Sequence, residues 1–170
     1  LVIYLKSKGY LEVVNNNHIH DLGKYMFGFS VFWAYLFFSQ FLLIWYANIP
    51  EATHYYHNRF DVPLYQAVFF VLLLINFVAP FLILMTRKSK RNIETMAFVS
   101  ILLVIGHWLD FYWMVMPASV GTEGSIGFIE ILIFAGFVGL FMFTTFNALT
   151  KSSLLPVNNP YLKESTKHHI

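Results

Sequence analysis

Apolar residues in this chain do not alternate with polar ones. They run on in four stretches, roughly 25–46, 64–86, 96–116 and 126–149, separated by short polar segments. About 20 helical residues, rising 1.5 Å each, cross a hydrocarbon core of about 30 Å, and each run has that length. A helix that is apolar on every side meets either lipid or protein all round. The pattern predicts an all-α, polytopic transmembrane helix bundle with four spans.

The flanking segments read differently. Residues 1–24 open with Leu1–Leu5, which look like the last turns of an apolar helix closed by Lys6, Lys8 and Gly9. No positively charged segment followed by an apolar one marks a signal peptide. The chain therefore reads as the C-terminal part of a longer polypeptide. Residues 150–170 form a polar tail, including PVNNPYLKESTKHHI.

Composition supports the membrane reading: 12% of residues are charged, against about 25% in soluble proteins. The chain has no cysteine, which excludes disulfides, thiolate-held zinc and iron–sulfur ligation by this chain. The formal charge of +2 is small and unevenly placed, so nucleic acid is not an expected partner. Arg87, Lys88, Lys90 and Arg91 fill the short segment between the second and third runs. Lys6, Lys8 and Lys24 precede the first run, and Lys151, Lys163 and Lys167 follow the fourth. If the spans alternate in direction, only Arg59 lies on the other side. The positive-inside rule makes the basic side cytoplasmic and places both ends there. Trp45, Tyr46, Trp108, Tyr112 and Trp113 suit the opposite headgroup level, where the loops carry Glu51, Asp61 and Glu123.

Ionisable residues inside spans cost about 2.5–3.5 kcal/mol at mid-helix on insertion scales, so each is a functional candidate. His107 and Asp110 lie three apart on span three and can meet on one face, within a mostly apolar stripe through Ser100, Leu103 and Met114. The pair suits a proton relay or hydrogen bonding to a quinone ring. It equally suits a buried pair that fixes packing. Glu130 lies about one turn into span four at a depth like that of Asp110, so the two can line one cavity with Glu51 above it. A watered rim position is the alternative for Glu130. Asn76 and Pro80, one turn apart in span two, predict a kink and a polar notch, because proline lacks the N–H that a helical carbonyl needs. Gln40, Ser39, Thr144, Thr145 and Asn147 are expected to bond between helices, and Ala135, Gly136 and Gly139 to form a close-packing surface. Only His107 is a histidine within a span, so this chain alone cannot supply a bis-histidine haem. His54 and His57 fall in the first outer loop, and no metal site is expected.

Three strings carry a resemblance. The segment HIHDLGKYMFGFSVFWAYLFFSQFLLIWYANIPEATHYY, the span-three string HWLDFYWMVMP and the ending NPYLKESTKHHI resemble the F-subunit family of bacterial alternative complex III. That complex is a quinol:cytochrome c oxidoreductase of the bacterial inner membrane. Its homologous C and F subunits are polysulfide-reductase-type membrane anchors, and the tail favours F. The resemblance implies the last four spans of a bundle of about ten. It implies a scaffolding subunit with a suggested proton path, lying near menaquinone or another quinone. Haems and iron–sulfur clusters would reside in partner subunits. Partners would be the C subunit, iron–sulfur and c-type haem subunits, lipid and a terminal oxidase. The inner-span acid and histidine of the family map to Asp110 and His107, with Glu130 a further candidate. The active site would be incomplete in this chain alone. Two other readings compete: an assembly scaffold with no titrating role, and a secondary transporter fragment built on broken helices.

Overall fold

The computed structural model describes residues 1–121, 124–151, 153–155, 158 and 160–166. Glu123, Lys167, His168 and His169 lie outside the described residues. Among those described, every regular element is helical. The helices are α1 (Val2–Ser7), α2 (Asn16–Ala47), α3 (Pro50–Phe60), α4 (Pro63–Leu73), α5 (Ala79–Ile83), α6 (Arg87–Arg91), α7 (Ile93–Ser119), α8 (Phe128–Thr150) and α9 (Leu162–Thr166). A π turn, Leu74–Val78, joins α4 to α5 without a break. Four helices are long and apolar enough to cross a membrane: α2, the composite Pro63–Ile83, α7 and α8.

Local chemistry explains the boundaries. Pro50 and Pro63 open α3 and α4, where the missing N–H has no helical partner to lose. Ile49 and Val62 before them are extended, as a residue preceding proline prefers. Asn48, at φ 49°, turns the chain between α2 and α3, in a conformation that asparagine tolerates. Asn92 caps α7 by accepting from the Glu94 and Thr95 N–H groups at 2.9 and 3.4 Å. Helix α2 starts ahead of its apolar run because Asn15 caps it, accepting from Asn17 and His18 N–H groups. Residues 50–60, expected as loop, are helical, since a proline start and a run without glycine favour a helix.

The chain falls into two compact units. One comprises residues 1–19 and 126–170. In it Lys6 donates to the Val14 carbonyl, and the Tyr4 and Phe146 rings lie 5.6 Å apart. None of the described α8 residues is buried. Thr144 turns its hydroxyl back onto the Leu140 and Phe141 carbonyls, both at 3.0 Å, instead of reaching another helix. A Cβ added at Gly136 or Gly139 would meet nothing within 4 Å, so these glycines make no close packing among the described residues of this unit.

The other unit, residues 20–125, contains most of α2 and everything through α7. Its core is aromatic: Tyr56, Tyr65, Tyr112 and Trp113 pack with Val68 and Leu72. Lipid tails are as apolar as leucine, so burial alone does not drive helices together in a bilayer. Ring contacts and hydrogen bonds decide instead. Trp113 lies 5.7 to 6.2 Å from the rings of Phe37, Tyr55, Tyr56 and Phe69, and its indole N–H donates to the Tyr65 carbonyl at 3.0 Å. The Tyr65 hydroxyl donates to Gly121 at 3.0 Å. A Cβ at Gly124 would sit 1.6 Å from that hydroxyl, which fixes glycine there.

Candidate functional site

The buried seam of α7 is Met96, Val99, Gly106 and Trp113, spaced three, seven and seven residues apart. At about 100° per residue, Asp110 lies some 40° from Gly106 and His107 a full 100°. Asp110 accordingly faces the helix interface and is half-buried, whereas His107 is exposed. Spacing alone allows the two to meet. Instead the Asp110 carboxylate accepts from the Trp33 indole N–H across 2.9 Å, and no ion pair joins it to His107. Trp33 is held by stacking on Phe37, with centroids 4.8 Å apart.

Asp110 lines a cleft of about 170 Å³ with Trp33, Leu36, Phe37, Gln40, Tyr55, Trp113 and Met114. The volume admits several waters. The polar groups on its wall are a carboxylate, an amide and a phenol, set among apolar surfaces. Burial, aided by the Asp110 charge and opposed by Arg59, raises the Tyr55 pKa above the usual phenol value. Tyr55 therefore stays a neutral hydroxyl. Gln40, expected to bridge helices, is exposed and lines this cleft.

Beside the cleft lies Arg59, in sequence the one basic residue set apart from the other ten. Arg59 is 3% exposed, and its guanidinium lies 3.4 Å from the Tyr55 ring centroid and 5.0 Å from that of Trp113. Its N–H groups donate to three carbonyls: Trp113 at 3.2 Å, Met114 at 2.8 Å and Tyr55 at 2.6 Å. Pro117 sits inside α7 and removes the helical donor of Trp113. Arg59 supplies it. The available signal was a proline four residues after Trp113, together with one arginine in the aromatic string HYYHNRF.

Glu130 is the third residue of α8, and its carboxylate accepts from the Gly127 N–H at 2.8 Å, an N-terminal cap. Glu51 is exposed in the first turn of α3. Asn76 sits in the π turn, 0% exposed, with neither side-chain polar atom hydrogen-bonded. The Ala79 N–H reaches back five residues to the Leu74 carbonyl, so the helix is in the π register immediately before Pro80. A Cβ at Gly106 would lie 2.1 Å from Asn76 Oδ1, so this glycine allows α7 to press on the π turn.

A wider cleft of about 540 Å³ at the same end of the unit is lined by Phe41, Trp45, Tyr56 and Phe60, with Asn48 and His57 among its polar groups. Among the described residues no three His, Asp or Glu side chains converge as metal ligands. Compared with known proteins, the chain matches no family model and no curated protein.

Proposed function

We propose that this chain is a membrane subunit of a bacterial quinol-oxidising respiratory complex, in which Asp110 exchanges the protons that quinol oxidation releases. The observation that carries the reading is the Asp110 carboxylate, held by Trp33 at 2.9 Å on the wall of a cleft shared with Gln40 and Tyr55. A half-buried acid inside an apolar span, reachable by water, is the arrangement proton transfer needs. The strings around Trp33, Gln40 and Asp110 are also those that resemble the F-subunit family of alternative complex III. In this reading the basic end, with Arg87 to Arg91, faces the cytoplasm of the inner membrane. The Asp110 cleft lies toward the opposite face, and electrons pass to cytochrome c through iron–sulfur and haem groups of partner subunits. His107 and Glu130 contribute less: one points outward and the other caps its own helix.

The test is Asp110→Asn in the intact complex, measuring quinol oxidation and protons moved per electron. The expected result is normal assembly with a lowered rate or a lowered proton ratio. An unchanged rate and ratio would sink the relay. The Trp33 bond itself favours a second reading, a scaffold in which Asp110 only locks α2 to α7. That reading predicts a loss of stability in the same variant with the proton ratio intact.

A further inference from the structure

At the basic end of residues 20–125, cations from two elements converge on one place. Lys90, Arg91 and Arg87 belong to α6, and Lys24 lies on α2 one residue after Gly23, against which the Lys90 stem packs. Lys24 pairs with Asp21 at 2.9 Å. With Lys88 the group holds five cations against two carboxylates, Asp21 and Glu94, leaving three net positive charges. Lys90 is seated rather than free. A Cβ at Gly23 would lie 3.0 Å from its Cβ and Cγ, so the missing side chain on α2 makes room for the lysine stem. Its ammonium lies 5.1 Å from the Phe27 ring centroid. Below it, Phe27 stacks on Phe81 at 5.4 Å, and Phe81 meets Phe77 at 5.5 Å. All three rings are half-buried; Phe27 lies on α2, and Phe81 and Phe77 continue along span two away from the charges.

Cations at the end of an apolar span, with a ladder of rings immediately beneath, match an amphiphile with an anionic head and an acyl tail. We propose that this place binds an anionic phospholipid, with Arg87, Lys88 and Lys90 holding the phosphate of its headgroup and the Phe27–Phe81 pair supporting an acyl chain. Basic pockets at helix ends recognise such headgroups, and surface cations contribute about 1 kcal/mol each. The site does not depend on the quinol reading, because its cations and rings lie at the end of the unit away from Asp110.

The test is native mass spectrometry of the full chain, purified in detergent, with equal amounts of phosphatidylglycerol and phosphatidylcholine. Phosphatidylglycerol should be retained preferentially. Arg87→Gln with Lys88→Gln should weaken its retention roughly 25-fold, about fivefold per cation, and leave phosphatidylcholine unchanged. Lys88→Gln alone, at an exposed position, should give about fivefold and guards against a misfolded double variant. Equal retention of the two lipids, or undiminished phosphatidylglycerol in both variants, overturns the site. Thermal melts with excess inorganic phosphate separate the headgroup from a free anion. No upward shift is expected, and one as large as that from phosphatidylglycerol overturns the lipid assignment.

Discussion

Arg59 donates to the carbonyl of Trp113 across 3.2 Å, and that carbonyl is the one Pro117 leaves without its helical donor. The arrangement joins a short helix outside the spans to the end of α7 and closes the wall of the Asp110 cleft. A buried cation with no acidic partner among the described residues is expensive. Here three carbonyls and two aromatic faces share that cost.

The two residues should therefore be energetically coupled. Arg59→Gln is expected to lower unfolding stability by about 2–4 kcal/mol, from orphaned carbonyls and lost cation–π contact. Pro117→Ala restores the helical N–H, so the loss on Arg59→Gln should shrink in that background by about 1 kcal/mol. A double-mutant cycle from unfolding in detergent reads this directly, and strict additivity would exclude the coupling. Arg59→Lys should not rescue, because an ammonium cannot serve three carbonyls in a fixed fork.

Trp33→Phe retains the ring that stacks on Phe37 while removing the donor to Asp110. A hydrogen bond to a charged group contributes about 1.5–3 kcal/mol, and a loss of that order is expected. If the variant unfolds like the parent, the bond contributes nothing.

The contact between Asn76 and Gly106 makes opposite predictions for its two sides. Gly106→Ala forces a methyl to within 2.1 Å of Asn76 Oδ1, an overpacking that should cost about 1–3 kcal/mol. Asn76→Leu replaces an amide with no partner by an apolar group of similar size, and should stabilise by about 1 kcal/mol. Thermal unfolding of both variants is the measurement. A destabilised Asn76→Leu would mean that the amide has a bonding role in the π turn.

Tyr56, on α3 and outside the spans, supplies a pH signature. Burial, reinforced by neighbouring Tyr55 and opposed by Arg59, pushes its pKa up from 10.0 to about 12. The unfolded chain ionises first, so below pH 10 this phenol adds no pH dependence. Stability should fall as pH rises from about 10 to about 12. Tyr56→Phe should flatten that part of the curve, and ultraviolet titration should lose one late-ionising phenol.

The number and place of the spans are legible in the sequence because each apolar run is long enough to cross a bilayer by itself, whatever its neighbours do. The proline and asparagine signals at Pro63 and Asn92 act within one helical turn and are legible for the same reason, whereas the short polar helix that Pro50 opens reads as loop. The partners of Asp110 and Arg59 are of another kind. Residues three apart on a helix still differ by about 60° in direction. Only the seam through Gly106 and Trp113, packed against other helices, decides that Asp110 turns inward and His107 outward. Likewise Pro117 announces a carbonyl without a donor, but not that Arg59, more than fifty residues earlier, will fill it. The sequence by itself determined the crossings, since hydropathy and helix ends are local. The tertiary structure decided the Asp110–Trp33 bond, the Arg59 clamp and the Asn76–Gly106 contact, since each requires two helices to meet at one rotation.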